Sequence, residues 1–176
     1  MEIESFLKKS EGNWLSMRSG HSLAFKQFEE VVSNLKIKIL DSNESRVLNF
    51  LKKSNFKQKN LICPFEIKWE GNSNWEEGHS DKELSGYSLL IPIPYSSNTG
   101  IILRSLGYAE KIEAISNFNF TSDGTMILST EYSQTIAEER IWFINKNVRC
   151  RSSVIKSIDS KGIFQTSFAS EIRCIS

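Results

Sequence analysis

The sequence has few cysteines and histidines and no excess of charge of either sign. Its 176 residues include three cysteines and two histidines, and 22 lysines and arginines stand against 21 aspartates and glutamates. Cys63, Cys150 and Cys174 are scattered and odd in number, without the paired spacing of zinc sites or disulfide frameworks. We therefore interpret them as reduced, structural thiols. The balanced charge provides no field to draw the chain onto nucleic acid or an anionic membrane.

Targeting segments, long apolar runs and familiar catalytic signatures are also missing. The opening MEIESFLKKSEGNW resembles neither a signal peptide nor a transit peptide. No stretch approaches the roughly 18 uninterrupted apolar residues of a membrane span, so we expect a cytoplasmic or stromal protein. There is no G-x-S-x-G elbow, phosphate loop, dinucleotide fingerprint or H-E-x-x-H motif, and we predict no metal site. Without repeats or linkers, residues 1–176 are expected to form one domain.

The sequence does contain many short strand-like segments. Apolar and polar residues alternate over 35–39 and 65–70, which is typical of strands with one buried face. After residue 87, apolar segments are separated by turn residues up to the carboxyl terminus. Pro92 and Pro94 lack backbone donors and predict an edge or a strand end.

Helical spacing occurs only in two short segments, 2–9 and 45–54. About eight to ten strands without βαβ alternation predict an all-β protein, either an antiparallel up-and-down β-barrel or a sandwich. A barrel of this size can enclose one small ligand, so its inward side chains are the candidate site.

Arginine is concentrated near the carboxyl terminus. Seven of the 22 basic residues are arginine, and four lie in the last three predicted strands: Arg140, Arg149, Arg151 and Arg173. The two-pronged guanidinium suits planar carboxylates, and Arg149 and Arg151 share one strand face. With Glu139 and Glu171 on the adjacent strands, the cluster is either a surface ion-pair ladder or the polar lining of a pocket. Periodicity alone does not decide between them.

Aromatic residues and one polar segment add further candidates. Trp69 and Trp75 flank a turn, and Trp142 lies in the strand of the first of these glutamates. Each tryptophan is either core or a stacking surface for a flat ligand. Arg18 and His21 occur in WLSMRSGHSLAFKQFEE, a stretch that we interpret as too polar for an ordinary barrel strand. A lone histidine is more often a turn or core residue than a catalyst.

Four segments together resemble a known family. EERIWFINKNVRCRSSVIK (residues 138–156) and FASEIR (168–173) resemble the carboxy-terminal signature of S-type phycobiliprotein lyases, the CpcS/CpeS family, and so do WLSMRSGHSLAFKQFEE and IKWEGNSNWEE. The resemblance spans almost the whole chain. It implies a lipocalin-like or fatty-acid-binding-protein-like barrel that binds a phycobilin non-covalently. The lyase then joins the bilin through a thioether bond to a cysteine of a phycobiliprotein subunit.

The resemblance also implies roles for individual residues. Arg149 and Glu171 match the positions most important for bilin binding, and Glu139 joins them in the catalytic set. Further bilin-binding positions are matched by Arg151, Ser153, Trp142, Trp69, Trp75, Arg18 and His21. Arginines would anchor the two propionates and a glutamate would face the pyrrole nitrogens, while Glu139 is hypothesised to be a general acid. Cys150 departs from the apolar residue expected between the two arginines.

Substrate and partners follow from the same resemblance. It implies no permanent cofactor, and phycoerythrobilin or phycocyanobilin as the transferred substrate, with phycoerythrobilin favoured. The acceptor would be an apo-phycobiliprotein subunit, the β subunit of phycoerythrin being favoured, and a bilin reductase could deliver the bilin. The protein would work alone, as a homodimer or with a paralogue, in the cytoplasm of a cyanobacterium-like cell.

Two other functions remain open from the sequence. A non-catalytic bilin or tetrapyrrole carrier predicts the same pocket without transfer to an acceptor. An interaction module predicts that the arginines and glutamates lie on the outside of the barrel.

Overall fold

A computed structural model describes residues 2–54, 56, 61–73, 83–105, 114–159 and 162–175. These residues form two helices, α1 (Ile3–Ser10) and α2 (Ser45–Lys53). The strands are β1 (Gly12–Ser22), β2 (Gln27–Ile39), β3 (Phe65–Ser73), β4 (Glu83–Pro94), β5 (Thr99–Arg104), β6 (Ala114–Phe120), β7 (Met126–Glu131), β8 (Thr135–Asn145), β9 (Val148–Ser157) and β10 (Ile163–Arg173).

The ten strands form one closed antiparallel barrel. Each strand pairs with its neighbours in the chain, and β1 pairs with β10 to complete the ring. This arrangement confirms the predicted lipocalin-like up-and-down barrel with two short helices. Because the barrel is closed, it leaves no strand edge in the described sheet, and every strand has one inner and one outer face.

Helix α1 closes one end of the barrel, which we call the lower end. Residues 3, 6, 7 and 10 lie on one helix face and are buried. The Phe6 ring packs against Phe120 and Phe143, with ring centroids 5.4 and 5.3 Å apart. The same cluster includes Trp14, Leu35 and inward residues of β3 to β7. The lower half of the interior is therefore an apolar core.

Helix α2 covers the outside of β4 and β5. Its Val47, Phe50 and Leu51 pack in a second buried cluster with apolar residues of these two strands. Both faces of β4 and β5 are thus buried, which explains why their sequences are apolar without alternation. Pro92 and Pro94 lie beyond the last pair of β3 with β4, as predicted for a strand end.

The polar segment near the amino terminus is a regular part of the barrel. Residues 12–22 and 27–39 form the long strands β1 and β2, which pair along their full length. The expectation that this stretch is too polar for a barrel strand is therefore wrong. Its inward residues Ser16, Arg18 and Glu29 face other polar groups in the upper half of the interior, so a strand there requires no apolar face.

Candidate functional site

The upper half of the barrel interior contains charged side chains where a core would ordinarily be apolar. Glu139 of β8, Arg149 of β9 and Glu171 of β10 are 4%, 6% and 0% exposed, and Arg104 of β5 is 7% exposed. Charged residues are seldom buried to this extent unless they are paired. The cluster is therefore an interior lining and not a surface ion-pair ladder, which also overturns the interaction-module alternative.

These residues and Arg151 form a continuous chain of alternating charge, which we call the ion-pair chain. Arg104 Nη2 lies 3.3 Å from Glu139 Oε2, and Glu139 Oε1 lies 3.8 Å from Arg151 Nη1. Arg151 Nη2 then lies 3.7 Å from Glu171 Oε1. Glu171 Oε2 accepts a hydrogen bond from Arg149 Nε at 2.6 Å, and Arg149 Nη2 lies 2.5 Å from the same oxygen. Two carboxylates and three guanidiniums thus line one side of the interior.

The pair of Arg149 and Glu171 is the tight end of the chain. Burial lowers the pKa of Arg149, and the adjacent Glu171 carboxylate opposes that shift. An arginine is not deprotonated in proteins, so the guanidinium stays charged. It also lies 5.0 Å from the ring centroid of Trp14, whose other neighbour is the Arg173 guanidinium at 4.2 Å. Trp14 is fully buried and forms the floor of the site.

Arg151 and one oxygen of Glu171 are held more loosely. The distances from the Arg151 guanidinium to the carboxylates of Glu139 and Glu171 exceed hydrogen-bond length. The Arg151 side chain is also the most exposed in the ion-pair chain, at 20%. Glu171 Oε1 is buried and makes no hydrogen bond within the described part of the protein. A buried acceptor without a donor is costly, and native structures usually reserve such atoms for a ligand or a water. These two groups are therefore the ones best placed to receive a ligand.

Further polar groups extend the lining towards the upper end. Arg18 of β1 and Glu29 of β2 form a half-buried pair with a 3.4 Å contact. Ser153 and Ser167 share a 2.6 Å hydrogen bond between β9 and β10. The site can thus offer both cationic and hydroxyl contacts to an elongated ligand.

Two predicted site residues, Trp142 and His21, lie on the outer face of the barrel. Trp142 lies three residues after Glu139 on one strand, so alternation places it on the outer face, where it packs against Phe168. His21 is likewise exposed and contacts Phe28 at 5.0 Å between ring centroids. Trp75 lies outside the described residues.

Trp69 faces inward but lies apart from the ion-pair chain. Its indole crosses over Gly86, where a Cβ atom would come within 2.5 Å of the ring. It packs against the apolar core and borders a concavity of about 610 Å³ that is also lined by Lys36, Tyr87 and Cys174.

Cys150 has the opposite orientation from the two arginines beside it. It is buried, and it pairs across the sheet with Trp142 and Ser170 on the outer side. Its thiol is therefore directed away from the ion-pair chain.

Several residues of the site were missed in the sequence. Arg104 ends an apolar strand that α2 covers, so no alternation in β5 marks its inward direction. Trp14 and Glu29 lie in the segment that we judged too polar to be a strand. The sequence feature that could have revealed them is the alternation of inward and outward residues along β1 and β2. In β1 this alternation places Trp14, Ser16 and Arg18 on one face.

Comparison with known proteins agrees with this site. Residues 2–174 match the family model described as CpeS-like protein. The chain is 43% identical over 175 residues to chromophore lyase CpcS/CpeS 3 of Trichodesmium erythraeum, covering 98% of this chain and 99% of that protein. It is 39% identical over 152 residues, covering 85% of this chain and 66% of the relative, to a Microchaete diplosiphon protein provisionally named phycoerythrobilin lyase CpeS.

A solved structure supports the same relationship. The S-type phycobiliprotein lyase CPES from Guillardia theta superposes with a TM-score of 0.85 at 34% identity, covering 100% of this chain and 94% of that one. Sequence and fold agree along the whole chain, and the chain therefore belongs to the CpcS/CpeS family of S-type phycobiliprotein lyases, chromophore lyases that attach bilins to phycobiliproteins.

Proposed function

We propose that residues 1–176 act as a single bilin-binding domain, with the phycobilin held in the upper half of the barrel against the ion-pair chain. The observation that carries this proposal is the buried carboxylate of Glu171, which has one oxygen hydrogen-bonded to Arg149 and the other without a hydrogen bond. A linear tetrapyrrole presents several pyrrole N–H donors, which are the groups that such an acceptor needs.

In this proposal Arg151 anchors a propionate of the bilin. It is the most exposed arginine of the ion-pair chain, at 20%, and its guanidinium lies 3.7 and 3.8 Å from its two glutamates. Arg18, which is half-buried nearer the upper end, is the candidate for the second propionate. Bidentate binding to a carboxylate favours arginine over lysine at both positions.

Arg149 acts on the bilin through Glu171. Its Nε already donates to Glu171 and its Nη2 lies 2.5 Å from the same oxygen, so the role of Arg149 is to hold that carboxylate turned towards the ligand. The charges of the lining favour a protonated bilin: the guanidiniums of Arg18, Arg104, Arg149 and Arg151 face the carboxylates of Glu29, Glu139 and Glu171. A ligand with two propionates is then best balanced when its pyrrole system is a cation.

Glu139 is proposed to handle the proton of the addition step. The acceptor thiol adds across the ethylidene double bond of ring A: the S–H bond and the π bond break, sulfur bonds to the exocyclic carbon, and the ring carbon at the other end of the double bond takes a proton. The Glu139 carboxylate takes the thiol proton and, as general acid, delivers it to that carbon. Glu139 is 4% exposed and lies between Arg104 and Arg151, where a carboxyl group can exchange a proton with the ligand. The rest of the acceleration of thiol addition comes from holding the bilin in one conformation and orientation.

We propose phycoerythrobilin as the preferred bilin and the β subunit of phycoerythrin as the preferred acceptor. The name of the relative from Microchaete diplosiphon supports the choice of bilin. Phycocyanobilin is the alternative substrate, and delivery by a bilin reductase and action as a homodimer or with a paralogue remain part of the hypothesis.

An absorbance titration tests the proposal. The purified chain is titrated with phycoerythrobilin and, separately, with phycocyanobilin, beside Glu171→Gln, Glu139→Gln and Arg140→Ala, and each is then mixed with the apo β subunit. We expect a sharpened, red-shifted band that is lost in Glu171→Gln and retained in Arg140→Ala, an outer-face control. Glu139→Gln should bind bilin but transfer it about a hundredfold more slowly or worse.

Three outcomes would contradict parts of this proposal. No spectral change with either bilin would reject the site. Binding without covalent transfer to the subunit would leave a carrier, and full transfer by Glu139→Gln would remove Glu139 from the proton step.

A further inference from the structure

Two neighbouring hairpins at the end of the barrel opposite α1 expose large apolar side chains. One is the turn between β1 and β2, and the other is the turn between β9 and β10. We call this surface the apolar rim and define it by six residues: Leu23, Phe25, Phe28, Ile158, Ile163 and Phe164. Their exposed fractions range from 41% for Phe164 to 77% for Phe25.

The apolar rim is one continuous, hydrogen-bonded surface. The Leu23 amide donates to the Phe164 carbonyl at 2.8 Å, which joins the two hairpins where β1 and β10 pair. The Ile158 amide donates to the Gln134 carbonyl at 3.1 Å and fixes the second turn to the loop before β8. Backbone hydrogen bonds therefore fix Leu23 and Ile158, although their side chains face water.

The apolar rim adjoins the candidate site. The inner faces of the same two hairpins carry the pair of Arg18 and Glu29 and the pair of Ser153 and Ser167. At the lower end, by contrast, α1 and Trp14 close the interior. The apolar rim therefore borders the end of the interior that α1 does not cover.

Such side chains do little for the fold itself. Exposed leucine, isoleucine and phenylalanine at turn tips bury little surface and favour association, so a contiguous group of them usually marks an interaction site. At the lower end, Phe6 and Trp14 show the alternative, because both are buried beside α1.

We propose that the apolar rim is the docking surface for the apo-phycobiliprotein subunit that accepts the bilin, an inference that rests on the proposed function. The acceptor cysteine must reach the bilin for the sulfur–carbon bond to form. We expect a protein that is about to enclose a large, flat chromophore to expose an apolar cleft beside that cysteine. The apolar rim matches this cleft in chemistry and borders the end where the two proteins must meet.

The experiment measures binding of the acceptor directly, without bilin. An apo β subunit of phycoerythrin with its acceptor cysteine replaced by serine is immobilised, and the chain is titrated over it by interferometry. Leu23→Ser/Phe25→Ser and Phe164→Ser are compared with Leu15→Ser/Met17→Ser, which removes exposed apolar side chains from the outer face of β1. Absorbance titration with phycoerythrobilin is run on all variants.

We expect the rim variants to weaken Kd for the subunit by at least about tenfold, and the outer-face variant to change it by less than about twofold. Bilin binding should be equal in all of them. An unchanged Kd in the rim variants, or a loss only in the outer-face variant, would overturn the proposal. Loss of self-association with acceptor binding retained would instead assign the rim to a second copy. If the wild-type chain bound no bilin, the proposed function would fail while the Kd comparison still decided the docking surface.

Discussion

The two halves of the barrel interior differ in chemistry although the same strands run through both. Along β6 and β7, the inward residues change from Phe118 and Leu128 in the lower half to Ser116 and Thr130 in the upper half, whose hydroxyls lie 2.6 Å apart. Along β8, they change from Phe143 to Glu139. The lower half stabilises the fold by burying apolar surface, whereas the upper half pays a desolvation cost for a site. Stability and function thus rest on adjoining regions of one barrel interior, which meet where Arg149 pairs with Phe143.

The largest effect expected in the upper half comes from breaking its tight ion pair. Arg149→Met leaves the fully buried Glu171 without its partner and should lower the free energy of unfolding by about 3–5 kcal/mol. The double variant Arg149→Met/Glu171→Leu should recover most of that loss yet bind no bilin. Urea denaturation and absorbance titration measure the two quantities. A double variant as unstable as the single one would show that the pair is needed for the fold.

In the lower half, the corresponding change is Phe6→Ala. Removing this buried ring from beneath the barrel should lower the free energy of unfolding by about 3–5 kcal/mol. The bilin affinity of the folded protein should change by less than about threefold. Phe25→Ala, at a position 77% exposed, is the matched control and should cost less than about 0.5 kcal/mol. Loss of bilin affinity in folded Phe6→Ala protein would mean that the two halves are coupled.

Arginines on the two faces of the sheet provide a smaller contrast. Arg151→Ala should weaken bilin binding by about ten- to a hundredfold, because a charge-assisted hydrogen bond contributes about 1.5–3 kcal/mol. Its effect on unfolding should stay within about 1 kcal/mol, since its ion pairs are long. Arg140→Ala, on the outer face of β8, should change neither quantity. Equal losses of affinity in both variants would argue against the inner site.

The smallest effect concerns an ion pair outside the barrel. Glu66 of β3 accepts a hydrogen bond from Arg46 of α2 at 2.6 Å. Burial raises the pKa of Glu66, but Arg46 and Lys68 together lower it by more than burial raises it. The pKa of Glu66 therefore lies below that of an ordinary glutamate. The carboxylate therefore adds stability above the unfolded pKa of about 4.3, and that stability is lost as pH falls through the lower folded value.

Glu66→Gln should accordingly reduce the free energy of unfolding by about 1 kcal/mol at pH 7, and this difference should vanish towards about pH 3. Denaturation at both pH values measures it, with Glu4→Gln in the exposed pair with Lys8 as the control. A difference between wild type and Glu66→Gln that grew on acidification would reverse the assigned sign.

The comparison also separates what the sequence determines from what the tertiary structure decides. Strand periodicity alone places Arg149 and Arg151 on one face of β9 and sets Trp142 opposite Glu139, because alternate residues of a strand point in opposite directions. The sequence also contains the apolar face of α1 and enough strand segments for a barrel. Most of the candidate site was thus recognisable from its residues and from the family resemblance.

Only barrel closure decided which of the two faces is the inside. Closure brings Arg104 Nη2 of β5 to 3.3 Å from Glu139 Oε2, 35 residues later in the sequence. The apolar sequence of β5 does not predict that contact. It also turns the polar strand β1 into part of the lining, since a polar inner face is acceptable only where other strands supply partners. The local sequence pattern determines which residues of a strand share a face. The closure of the ten strands into a ring determines which of these side chains meet in the interior.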